Sequence, residues 1–204
     1  MYIIGVTGPS GAGKTEFGKI LAKENSRVYS FNFDEIWFEV AYEHRADITE
    51  QFGEKVFRGN GLCNTDYWFT FNKSKVQKWL RDFAPEMVEK FYQRARQLSD
   101  LHDIFIAEYH FLPATSLWQS CDKRVIVESN ETERYERLQS RNFCPCSPIQ
   151  AQRREEMAAE LWVDIGKSNY ITIRNNYDEG YQAEVLSLFE DVLIDIGVKT
   201  PIFA

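Results

Sequence analysis

Residues 8–15 read Gly-Pro-Ser-Gly-Ala-Gly-Lys-Thr and satisfy G-x-x-x-x-G-K-[ST] at every fixed position. No other stretch constrains the fold as much. The glycines let the backbone turn so that successive N–H groups converge on an anion, and a helix starting directly behind them adds the partial positive charge of its N-terminus. In this pattern Gly8, Pro9, Ser10, Gly11, Ala12 and Gly13 form the cradle, Lys14 reaches the β- and γ-phosphates of a nucleoside triphosphate, and the Thr15 hydroxyl ligates Mg²⁺. The flanks agree, because residues 2–7 are a short apolar, β-prone run while Phe17, Ile20 and Leu21 recur at helical spacing. The expectation is strand, phosphate-binding loop, helix.

The remaining elements alternate in the same way. Residues 27–33 make a second strand that ends at Asp34, and Ile36, Trp37, Val40 and Ala41 then fall on one helical face. Between about 45 and 100 there is no strand signal: Val76, Trp79, Leu80 and Phe83 predict one helix, and a second begins at Pro85, where a missing N–H is harmless in a first turn. Strands return at 104–107, 124–128 and 170–173, with charged helices at 131–141 and 148–162 and an amphipathic closing helix at 179–196. Alternating strands and helices predict an α/β chain with a mostly parallel sheet covered on both faces.

Charge and cysteine use narrow the class. With 31 acidic against 24 basic residues the net charge is -7, which argues against duplex nucleic acid as a partner, since phosphate contacts need a basic face. No apolar run reaches membrane-spanning length and the N-terminus lacks a basic region before its apolar stretch, so a soluble, cytoplasmic protein is expected, with no membrane partner. Cys144 and Cys146 flank one proline, a spacing unlike redox or zinc pairs; with Cys63 and Cys121 they read as reduced thiols. The chain is too short for a two-part translocating motor and has no Asn-Lys-x-Asp run for guanine.

Three further groups of residues fit phosphoryl transfer. Asp34, at the carboxyl end of a strand beside the loop, can take the proton of an acceptor hydroxyl; it can equally cap the helix that follows. Glu108 ends the third strand and is placed to orient Mg²⁺ through water. Arg137, Arg141, Arg153 and Arg154 lie on the two helices around the Cys-Pro-Cys loop, where they either neutralise transferred phosphoryl oxygens or pair with nearby glutamates on a solvated face. Of the 15 Phe, 10 Tyr and 5 Trp, a group at Trp37, Phe38, Tyr42, Tyr67, Trp68, Phe69, Phe71 and Trp79 reads as a small core or a stacking surface.

Taken in order, these segments resemble the dephospho-coenzyme A kinase family. Ile4-Gly5-Val6-Thr7-Gly8 through Lys14-Thr15 is similar to its I-G-L-T-G-x-x-x-x-G-K-S, Phe33-Asp34-Glu35-Ile36 to A-D-x-I, and Phe52-Gly53-Glu54-Lys55-Val56 to F-G-x-x-I. Ala84-Pro85-Glu86-Met87-Val88 resembles H-P-x-V, and Cys121-Asp122-Lys123-Arg124-Val125-Ile126-Val127 resembles C-D-x-V-I-V-V. Residues 133–141 resemble E-x-Q-x-x-R-L-x-x-R, and 149–157 a lid helix. The resemblance implies a three-layer P-loop kinase fold with a helical, acceptor-binding cap at about 45–100 and an arginine-bearing lid at about 137–160. It further implies phosphorylation of the ribose 3′-hydroxyl of dephospho-CoA by ATP, with Asp34 as base, Arg141 and Arg153 as lid arginines and Arg174 or Asn175 at the adenine edge. The sequence departs from the family at Asn32, Asn64, Ala84 and Glu108, with His110 near where a proline is usual, and the departures cluster on the acceptor side. Another nucleoside-like or small alcohol acceptor, or an ATP-binding protein without turnover, are the alternatives; oligomeric state is not set by the sequence.

Overall fold

The computed structural model describes residues 1–58, 64, 67, 73–140, 148–161 and 169–197. Five strands, β1 (Tyr2–Thr7), β2 (Val28–Asn32), β3 (Ile104–Glu108), β4 (Lys123–Ser129) and β5 (Ile171–Asn175), form one sheet in the order β2-β3-β1-β4-β5. Every pairing is parallel. Side chains alternate across a strand, so the apolar runs feed two cores. Ile3, Phe31, Phe105 and Ile126 point to one, and Ile4, Val6, Val28, Ile106 and Val127 to the other.

The second core is closed by α1 (Lys14–Glu24) and by α8 (Glu179–Asp195), which contribute Phe17 and Leu21, and Val185, Leu188, Phe189 and Val192, respectively. The first is closed by α2 (Phe33–Glu43), α3 (Arg45–Phe52), α4 (Lys73–Leu98) and the short α5 (Ser116–Ser120). Helices α6 (Glu131–Ser140) and α7 (Pro148–Leu161) follow β4 and meet over Leu138 and Ala151. The result is a helix-sheet-helix sandwich.

One expectation is corrected. The sequence predicts a break before Pro85, whereas α4 runs through it as a single 26-residue helix. Proline removes one helical hydrogen bond and crowds the preceding turn, at a cost of about 3 kcal/mol. The apolar face on either side outweighs that. Before Pro85, Trp79 meets Trp37 with ring centroids 4.3 Å apart; after it, Phe91 meets Phe31 at 5.1 Å and Phe33 at 5.5 Å. Both halves bury against the same core, and Lys90 is bonded to Glu39 and Glu43 of α2. A break at Pro85 would strip one half from that core.

Candidate active site

The parallel register brings the ends of the strands to one edge. Val6 and Asn32 both align with Glu108, and Asn175 aligns with Ser129, so the loops after β1, β2, β3 and β5 meet above the sheet. Ligands of open α/β sheets bind at such an edge. The loop between β1 and α1 lies in its centre.

That loop is held by its carbonyls. Lys14 Nζ donates to the carbonyl oxygens of Gly8 and Pro9, each at 3.0 Å. Arg134 Nη1 donates to Ser10 O at 3.1 Å, and the Tyr177 hydroxyl to Gly11 O at 2.8 Å. Asn175 Nδ2 reaches Ala12 O at 2.8 Å and the Tyr181 hydroxyl reaches Gly13 O at 3.0 Å. Every carbonyl from Gly8 to Gly13 therefore has a side-chain donor, which turns the oxygen edge of the loop toward the protein and leaves its amide edge for an anion, apart from the Ala12 N–H, which donates to Pro9 O at 3.2 Å. His110 Nδ1 also lies 2.9 Å from Gly8 O; because a carbonyl only accepts, Nδ1 carries the proton of that bond.

Two glycines are required by this packing. Gly11 and Gly13 hold φ of 87° and 108°, in the left-handed region. A Cβ on Gly13 would lie 2.1 Å from Asn175 Nδ2, and one on Gly11 would lie 3.0 Å from both Arg134 Cγ and Leu138 Cγ.

Across the loop, the Thr15 hydroxyl donates to Glu108 Oε2 at 3.0 Å. Glu108 is 4% exposed, and burial pushes its carboxyl above the usual glutamate range, opposed by the nearby Lys14 ammonium and the Thr15 hydrogen bond. Asp34 is close enough for its charge to raise Glu108 further. Asp34 itself is exposed at the start of α2, and the capping of that helix falls to Asn32, whose side chain accepts from Asp34 N at 2.9 Å. The structure thus brings Lys14, Thr15, Asp34 and Glu108 to one edge, with Asn175 in the frame beneath.

The arginines divide. Arg137 stacks on Tyr177, its guanidinium carbon 3.6 Å from the ring centroid, at the wall of an open depression of about 380 Å³ lined also by Glu133, Glu136, Ser140 and Asn176. Arg153 is exposed on α7. Arg141, the side chain of Arg154, Cys63 and the Cys144–Cys146 segment lie outside the described residues, as do Trp68, Phe69 and Phe71. Arg134, Tyr177, Tyr181 and His110 were missed as loop ligands by sequence reasoning. Their donors act over separations of 102 to 168 residues, and no local pattern marks them. Asn175, expected at an adenine edge through the resemblance, is 2% exposed and its oxygen accepts from Tyr177 N at 2.8 Å while its nitrogen serves the loop.

Among solved structures the chain is similar to TT1252 from Thermus thermophilus, with a TM-score of 0.67, 18% identity, and 95% of this chain and 97% of that one covered. It is also similar to dephospho-CoA kinase from Campylobacter jejuni, with a TM-score of 0.51, 16% identity and coverage of 93% and 96%. Shikimate kinase from Bacteroides thetaiotaomicron gives 0.50, 12% identity and coverage of 94% and 98%. At these identities the likeness is one of fold, and the fold is that of the P-loop kinases. No curated protein matches the sequence. Residues 4–162, from the first strand through the loop to the end of α7, match the family model described as an AAA domain, and the chain belongs to that family.

Proposed function

We propose that the protein transfers the γ-phosphoryl group of ATP to a hydroxyl of a small molecule, with the ribose 3′-hydroxyl of dephospho-CoA as the first candidate acceptor. The observation that carries this reading is the Thr15–Glu108 hydrogen bond beside a phosphate-binding loop whose carbonyls are all held by the protein's own side chains, opening on Asp34. The loop amides and Lys14 hold the β- and γ-phosphates, Lys14 exchanging the Gly8 and Pro9 carbonyls for phosphate oxygens. Asp34 accepts the proton of the attacking hydroxyl and orients it in line with the γ-phosphorus. Arg141 and Arg153 neutralise charge on the transferred oxygens.

The donor set suits Mg²⁺, because the Thr15 hydroxyl and the Glu108 carboxylate are hard oxygen ligands beside a phosphate cradle. Thr15 and Glu108 would hold the ion, which would supply positive charge against that of the phosphates. Glu108 must ionise to assist, and the neighbouring Lys14 lowers the cost of doing so.

A second acceptor class is favoured by one set of contacts. Asn32 is committed to capping α2, the Asn64 amide donates to Lys55 O at 3.2 Å, and Ala84 is buried in α4, so three positions where the resembled family carries charged or imidazole groups serve the framework instead. A different nucleoside-like or small alcohol acceptor fits that change. Coupled ADP release over a panel of dephospho-CoA, CoA precursors, nucleosides and small alcohols separates the cases. Turnover with dephospho-CoA supports the first, turnover with another acceptor the second, and ATP binding without turnover on any acceptor overturns both.

A further inference from the structure

An ion pair with a buried arginine and a half-buried glutamate joins the helix beyond β4 to the apex of the loop. Arg134 of α6 is 3% exposed; its guanidinium donates through Nη1 to both Ser10 O and Glu155, and through Nη2 to Glu155 Oε2 at 3.1 Å. Glu155 belongs to α7, which also packs Ala151 on Leu138 of α6. Gly11 sits directly against both Arg134 and Leu138, as its lack of a Cβ permits. A continuous set of contacts therefore runs from α7 through Arg134 to the two apical residues of the loop, Ser10 and Gly11.

We propose that Arg134 and Glu155 form a positioning pair that sets the apex of the phosphate-binding loop according to where α7 lies. The same Nη1 serves both partners. Glu155 fixes the plane of the guanidinium, and the guanidinium fixes the Ser10 carbonyl, which in turn sets the direction of the next amide. A charge this deeply buried has no good alternative to its carboxylate, so displacement of α7 releases the Ser10 contact rather than leaving Arg134 in place. Arg134 touches no reacting atom: it acts through the backbone it holds. A nucleotide that holds α7 against α6 thus also holds the loop that grips its phosphates.

The inference rests on the proposed reading of the loop as an ATP site, and its test separates the two. Hydrogen exchange of the peptide spanning residues 8–15 is measured without ligand in the wild type, in Glu155→Gln and in the double variant R134M/E155M, which replaces the pair by apolar side chains of similar volume. ATP titrations accompany each. The expected result is exchange in that peptide faster by about tenfold, as for loss of one charge-assisted hydrogen bond, in both variants, with a similar weakening of ATP and unchanged exchange in the β3 and β4 peptides. The double variant guards against misfolding of a protein with an unpaired buried arginine. Exchange at the wild-type rate in either folded variant overturns the inference. If the wild type fails to bind ATP, the functional reading falls, while the exchange data still decide the coupling.

Discussion

At the scale of single residues, the loop depends on side chains that never meet a ligand. Gly13 is forced by Asn175, which needs the space of a Cβ to reach Ala12 O. Gly13→Ala therefore combines a strained left-handed backbone with a collision, and is expected to cost about 2 kcal/mol of stability and at least tenfold in ATP affinity, read by thermal melts and titration; unaltered affinity would mean that the amide frame is not set by this contact. Glu108 yields a pH prediction. Its folded pKa lies above the ordinary glutamate value, so the stability linked to it is intact below the usual range and lost as pH rises through the raised value. As pH rises above the ordinary glutamate range, the ligand-free wild type should lose ground to Glu108→Gln, which keeps an acceptor for Thr15 but cannot ionise. A Tm difference that does not widen with pH contradicts the burial argument. The residues of the G-x-x-x-x-G-K-[ST] pattern are legible because their chemistry is local; Arg134, Tyr177 and Tyr181 are not, because a carbonyl partner leaves no trace in a distant stretch of sequence.

Among the elements, the strands and their order along the chain follow from apolar runs, since a strand buried on both faces has little else to be made of. Helix α4 shows where that reasoning stops. A proline reads locally as a start, and only the shared burial of Trp79 and Phe91 in one core shows that the helix continues. The junction of β2 and α2 is the reverse case. Local chemistry allows Asp34 to cap α2, and the structure assigns the cap to Asn32, which leaves the Asp34 carboxylate to the edge where Glu108 lies. Asn32→Ala should lower stability by about 1 kcal/mol in denaturant melts, as for other lost N-caps. Because the cap also sets where Asp34 stands, the same variant should reduce kcat more than it changes KM for ATP. A fall in stability with intact kcat would separate the cap from the chemistry.

For the whole molecule, the parallel sheet does one thing that no individual element can: it collects Thr7, Asn32, Glu108 and Asn175 from across the chain at one edge. Composition is compatible with this and does not foretell it. The net acidity lies outside the loop, whose cationic contacts among the described residues are Lys14 and Arg134. The measurement that bears most directly on phosphoryl transfer follows label from [γ-³²P]ATP to an acceptor hydroxyl, comparing the wild type with Asp34→Asn and Lys14→Ala. Labelled acceptor should form with the wild type, fall by roughly 10²-fold with Asp34→Asn at nearly unchanged ATP affinity, and vanish with Lys14→Ala. Wild-type protein that binds ATP yet passes label to no acceptor, or an Asp34→Asn variant that transfers at the wild-type rate, would contradict the account.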